Sequence, residues 1–160
     1  MNKENKKRLN ELHINSKPRT EFSMPLNMMP PYKNSDNSSN GLTKCIVDFL
    51  NWNGHFAERT NTMGRVLDNR KTVIDVVGRA RTIGSTKYIP TTGVKGSSDI
   101  KATINGRMVA IEVKYKKDKQ SDAQKEYQEL IEKAKGVYYI AKDFDSFVEW
   151  YDNYINSELF

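Results

Sequence analysis

The sequence predicts an α/β domain, a mixed central sheet flanked by helices, behind a disordered N-terminal tail. Three observations lead to it: Asn105-Gly106 joins two alternating apolar strands, a helix-period segment opening at Ser121 connects the second of them to another strand at Val137–Ala141, and a helical stripe begins near Gly41. A two-residue turn makes its strands antiparallel, whereas a helix between two strands makes them parallel through a right-handed crossover. The sheet is therefore mixed.

The 160 residues give room for one compact domain, expected at 41–160, and a tail at 1–40. The tail is rich in Asn, Lys, Ser and Pro, and Pro18, Pro25, Pro30 and Pro31 break any helical or strand period. Met24 to Tyr32 is apolar enough to dock on a neighbour as an extended segment. Cys45 is the only cysteine, which excludes an internal disulfide and a cysteine-rich zinc cluster and fits a reducing compartment. Neither a signal-peptide run nor a stretch of membrane-spanning length is present, so a soluble intracellular protein with no membrane partner is expected.

Leu42, Cys45, Ile46, Phe49 and Leu50 give the first expected helix one buried stripe, and Asn53-Gly54 stops it. His55 to Arg59 reads as a strand, as do Thr72 to Val77 with their β-branched residues and Lys87 to Thr92 up to Gly93. The hairpin runs from Ser98 to Ile104 and from Arg107 to Lys114, around a turn whose two central residues need positive φ. In the helix from Ser121, Ala123, Tyr127, Leu130, Ile131 and Ala134 form an apolar face before Gly136. A last helix follows from about Asp145, with Phe147, Val148, Tyr151 and Ile155 on one side, and Trp52 and Trp150 are packing residues.

The hairpin carries the chemistry. With 104 facing 107, Ile100 faces Ile111, Ala102 faces Val109, and the apolar side of both strands shares the core. The opposite side then collects Asp99, Glu112 and Lys114, with Asp99 directly across from Glu112. Opposed carboxylates repel, so a cation belongs between them, and hard oxygen ligands at this spacing suit Mg²⁺ or Mn²⁺. Lys114 lies beside the same place, able to orient or help activate a water attacking phosphorus, and the Val113 main-chain carbonyl is a further possible ligand. The competing reading is an exposed acidic pair neutralised by Lys101 and Lys114.

The formal net charge of +6 points to a polyanion partner. Arg59, Arg65, Arg70, Lys71, Arg79, Arg81 and Lys87 face only Asp68 and Asp75 in the segment between them, a candidate nucleic-acid footprint or a solvated charged region.

At these residues the chain resembles the PD-(D/E)xK nucleases, and within them the stand-alone VRR-NUC proteins of phage genomes. Gly96-Ser97-Ser98-Asp99-Ile100 stands where the family has a glycine before its first metal-binding Asp, and Ile111-Glu112-Val113-Lys114 is the E-x-K strand. Ser121-Asp122-Ala123-Gln124 followed by Tyr127 is similar to the family's Ser-x-x-Gln, and Arg59-Thr60-Asn61-Thr62-Met63-Gly64-Arg65 to its Arg-x-Asn-Thr-Gly segment. The resemblance covers roughly residues 41 to 141. It implies a restriction-endonuclease-like α-β-β-β-α-β core, metal binding by Asp99 and Glu112, catalysis assisted by Lys114 and Gln124, and Mg²⁺-dependent cleavage of DNA with no organic cofactor. Some relatives cut branched DNA such as four-way junctions, usually as homodimers.

Many relatives carry an extra metal-binding Glu near the start of the first helix. Here that region reads Asn40-Gly41-Leu42-Thr43-Lys44, and Asp48 is the helix's only acid and thus the substitute candidate. Residues from about 65 to 95 form an insertion suited to binding substrate. DNA contacts are expected from Arg59, Asn61, Arg65, Arg70, Arg79 and Arg81, and from Lys116, Lys117 and Lys119 after the E-x-K strand. Gln124 reads equally as half of a capping box with Ser121, Tyr127 as core, and His55 as a non-catalytic strand residue. The alternative function is a catalytically weak or inactive nuclease fold that binds DNA as an accessory protein.

Overall fold

The computed structural model describes residues 1–20, 23–61, 64–90 and 93–157. Thr62 and Met63 of the Arg59–Arg65 segment, and Thr91 and Thr92 of the expected Lys87–Thr92 strand, lie outside the described residues. The chain divides into two compact units, residues 1–60 with 96–160, and residues 61–95.

The first unit holds α1 (Lys3–Asn15), α2 (Ser39–Trp52) and β1 (Phe56–Arg59). The second holds β2 (Arg65–Asp68), β3 (Lys71–Ile74), β4 (Ala80–Ile83) and β5 (Thr86–Ile89). The chain then returns to the first unit with β6 (Ile100–Ile104), β7 (Arg107–Val113), α3 (Asp122–Lys133), β8 (Val137–Ala141) and α4 (Phe144–Ser157).

A four-stranded sheet ordered β1-β6-β7-β8 forms the centre of the first unit, antiparallel except for the parallel pair β7-β8. The chain is thus a mixed α/β protein whose central sheet is flanked by helices. Asn105 (φ 50°) and Gly106 (φ 79°) make the expected turn, and the register sets Ile100 opposite Ile111 and Ala102 opposite Val109. One sheet face, with Ile100, Ala102, Val109, Ile111 and Val113, packs on α2 and α4 through Ile46, Phe49, Phe144 and Phe147. The other face packs on α3, where Ala110 meets Tyr127 and Ile131.

In the first unit, α1 and α3 differ from expectation. The tail expected over 1–40 is overturned at residues 3–15, which form α1. Asn2 caps it by accepting from the Asn5 N–H, Leu9 is buried to 1% exposure, and Arg8 makes two bonds of 2.7 and 2.8 Å to Asp152. Composition hid this helix because one buried leucine, Leu9, with Leu12 partly buried beside the core, and a set of polar contacts, including Asn5 to Asp145 at 2.7 Å, dock it. Tyr32 belongs to the same attachment, with its N–H on Asn10 at 2.8 Å and its ring edge-on to Trp52. The apolar face expected on α3 is also narrower: Tyr127 and Ile131 are buried, but Leu130 is 61% exposed and Ala134 is exposed.

The second unit is a two-stranded ribbon. β2 pairs β5 and β3 pairs β4, both antiparallel, and a turn over Asp75–Arg79 closes the end. The strand expected at Thr72–Val77 occurs only as far as Ile74, as β3, because Asp75 to Val77 enter the turn, and the one expected at Lys87–Thr92 occurs as β5, which ends at Ile89; each pairs within the ribbon.

Candidate active site

The hairpin register, continued one step past Ile100 and Ile111, sets Asp99 across from Glu112 on the face turned away from the main core. The Thr60 N–H donates to the Asp99 carbonyl at 2.8 Å, and Glu112 lies beside Ile140 of β8. Thr60, Asp99, Glu112 and Ile140 therefore form one row across the four strands. Lys114, two residues past Glu112, shares this face, as does Tyr138, which lies beside Ala110 in the adjacent row.

Glu112 is buried to 2% exposure, so the reading of an exposed surface pair fails for it. Burial and the nearby Asp99 charge push its carboxyl above the usual range, and Lys114 partly offsets them. Lys114 Nζ, itself nearly buried, lies 3.0 Å from Glu112 Oε1 and 3.6 Å from Asp118 Oδ2. Lys101 faces Glu58 and Ala110 in the register. Asp99 Oδ2 accepts the Val113 N–H at 3.0 Å. The N–H and C=O of a strand residue project to the same edge, so the Val113 carbonyl also faces the Asp99 strand.

Gln124 completes the capping box and also reaches Lys114 and Glu112. Its Oε1 accepts the Ser121 N–H at 2.9 Å, completing a capping box for α3, and also accepts Lys114 Nζ at 2.9 Å. Its Nε2 donates to Glu112 Oε1. Gly96 brings the site loop against the same helical turn. At φ 79° it takes a conformation that favours glycine, and a Cβ there would overlap the Ala123 carbonyl. Ser98 is fully buried and donates to the Ile100 carbonyl at 3.0 Å, tying down the residues beside Asp99.

Asp48 does not join this group. Its carboxylate accepts the Tyr32 hydroxyl at 2.6 Å and pairs with Lys44 at 3.2 Å, because its position on α2 faces the Tyr32 segment. Arg59 is exposed and donates to Asn40 at 2.7 Å. Lys116, Lys117 and Lys119 are exposed on the loop between β7 and α3, with Lys116 Nζ over the Tyr115 ring. Asn61, Arg65, Arg70, Arg79 and Arg81 belong to the second unit, where Arg70 pairs with Asp68 at 2.7 Å and Arg81 with Asp75 at 3.2 Å.

Thr60 and Tyr138 escaped the reading of the sequence, although counting faces in twos along β8 would have placed Tyr138. Burial and the Glu112 charge push the Tyr138 hydroxyl up to about 12. Among the described residues, the buried side-chain oxygens without a hydrogen-bond partner include Thr60 Oγ1, Glu112 Oε2 and Tyr138 Oη. All three lie on this one sheet face.

The unpartnered Glu112 oxygen, the Asp99 carboxylate across the hairpin and the Val113 carbonyl are hard-oxygen donors, the type of atom that Mg²⁺ or Mn²⁺ takes, and could hold such an ion. Among the described residues no group of three or more His, Cys, Asp or Glu side chains is placed to hold a metal ion, so such an ion would keep several waters. No helix of the described residues is long and apolar enough to cross a membrane. Compared with protein-family models, with curated proteins and with solved structures, the chain matches none.

Proposed function

We propose that this chain is a Mg²⁺-dependent endonuclease of the PD-(D/E)xK superfamily, VRR-NUC-like, that hydrolyses DNA phosphodiester bonds. The observation that carries the reading is the buried Glu112, bonded at Oε1 by Lys114 and Gln124 and lacking a partner at Oε2, across the hairpin from Asp99. The element order α2, β1, β6, β7, α3, β8 supports it as a restriction-endonuclease-like core.

Asp99, Glu112 and the Val113 carbonyl would hold the ion, which when bound supplies charge neutralisation at phosphate and a more acidic water. Lys114, its ammonium 3.0 Å from Glu112 Oε1, would orient a water held beside the carboxylates, and Gln124 bonds both Lys114 and Glu112. The hydrogen bond from Val113 fixes Asp99, so little reorientation is left for the moment of reaction. Paired cuts in a symmetric branched substrate need two centres related by a two-fold axis, so the reading includes a homodimer.

The test incubates the protein with labelled four-way, flap and linear DNA in Mg²⁺. Cleavage that Glu112→Ala removes is expected, with the branched substrates preferred. No cleavage of any substrate by the unaltered protein would sink the reading. The two-carboxylate donor set favours a second reading, a DNA-binding accessory protein without cleavage. Calorimetry separates them: tight DNA binding with no heat on adding Mn²⁺ supports the accessory role.

A further inference from the structure

Nearly all of the chain's excess positive charge lies in its second unit. Residues 61–95 hold seven Lys and Arg against two Asp, whereas the other nineteen cations are matched by eighteen acids. The first unit is close to neutral, and the ribbon is a concentrated polycation.

The ribbon also sorts its charge by face. Its two ladders share one register, with Arg65 opposite Ile89 and Lys71 opposite Ile83, and the Asn69 N–H bonds the Ser85 carbonyl at 3.2 Å between them. With no slip, odd-numbered strand positions stay on one side throughout. Arg65, Lys71, Arg81 and Lys87 all fall on that side. The reverse side carries Asp68 as its one charged strand residue.

Between the cations stand aliphatic side chains that nothing in the unit covers, Val73 at 39% and Ile83 at 54% exposure. Arg81 is anchored through Nε to Asp75 at 3.2 Å. A face that alternates cations with exposed aliphatic groups suits a polyanion that also offers apolar contacts. Duplex DNA does so, through its phosphates and the thymine methyl groups in its major groove. The B-form major groove, about 12 Å wide, admits a two-stranded ribbon, whereas the A-form groove of duplex RNA is too deep and narrow for side chains to read.

We propose that the ribbon formed by β2 to β5 is a duplex-DNA-binding arm that lays its Arg65, Lys71, Arg81 and Lys87 face into the major groove. This deepens the proposed function and rests on its reading of DNA as the substrate.

The test measures binding without cleavage, by fluorescence anisotropy of the full chain in EDTA with a labelled duplex DNA and a duplex RNA of the same sequence, across a salt series. Two double variants change the net charge equally: Lys71→Ala with Lys87→Ala on the cationic face, and Thr72→Glu with Thr82→Glu on the reverse face. All four positions are exposed, and each variant is used once its circular dichroism matches that of the unaltered protein. The lysine pair should weaken duplex DNA binding roughly 10-fold or more and lower the salt slope by about 2, since each lost phosphate contact removes about 0.9. The threonine pair should change it less than about 3-fold, and duplex RNA should bind more weakly than DNA. Equal loss from both pairs, RNA binding as tight as DNA, or no binding of duplex DNA overturns the arm. If the face-specific loss appears while the unaltered protein cuts nothing in Mg²⁺, the nuclease reading alone fails.

Discussion

Asp99 Oδ2 accepts the Val113 N–H at 3.0 Å, so one acid of the candidate site also closes the end of the β6-β7 hairpin. The two roles come apart by substitution. Asp99→Asn keeps an acceptor oxygen and should melt within about 1 kcal/mol of the unaltered protein, whereas Asp99→Ala leaves the N–H unpaired and should cost about 1–3 kcal/mol. Both should reduce cleavage by roughly 100-fold or more. Saturating Mn²⁺ should raise the melting temperature of the unaltered protein but not of Asp99→Asn.

Gln124 links helix capping to the site, so Gln124→Ala should act on both. Loss of its bond to the Ser121 N–H costs about 0.5–1.5 kcal/mol, readable by urea unfolding. Activity should fall more than that stability loss explains, because Lys114 and Glu112 each lose a partner. Equal activity in the two proteins at a temperature where both are folded would remove Gln124 from the site.

At Gly96, a side chain meets both a positive φ and the Ala123 carbonyl. Gly96→Ala should therefore destabilise by about 1–3 kcal/mol, and shift the start of α3, with Gln124 on it. Calorimetry reads the first effect, and weaker cleavage at low temperature reads the second.

The N-terminal helix should prove part of the folded unit. Leu9→Ala removes a buried side chain from the main core and should cost about 2–5 kcal/mol. Deleting residues 1–16 should lower the melting temperature at least as much, which thermal unfolding checks directly.

The two histidines give stability a pH dependence of known sign. Burial holds His55 below its ordinary 6.5, and burial together with Lys17 does the same for His13. A depressed folded value means that the unfolded chain binds more protons, so their contribution is full above about pH 6.5 and is lost as pH falls through the folded values. Substituting Gln at both positions should flatten the urea-midpoint curve below about pH 6.5. An unchanged slope there would refute this origin.

How much of this was legible in the sequence follows from the range of the interactions. Asn105-Gly106 and the alternation around it determined the hairpin, its register and the shared face of Asp99, Glu112 and Lys114, because a tight turn and a period of two are local rules. Ser121 and Gln124 likewise announced the start of α3. What only the tertiary structure decided depends on residues far apart in the chain. Gln124 turns back onto Glu112 and Lys114 because Gly96 lets the loop press against α3. Asp48 is drawn to Tyr32, and α1 docks through Arg8 on Asp152 and the single buried Leu9. The ribbon's one-sided charge emerges only when β2 meets β5 and β3 meets β4 in one register, since pairing across a turn sets which lysines and arginines become neighbours.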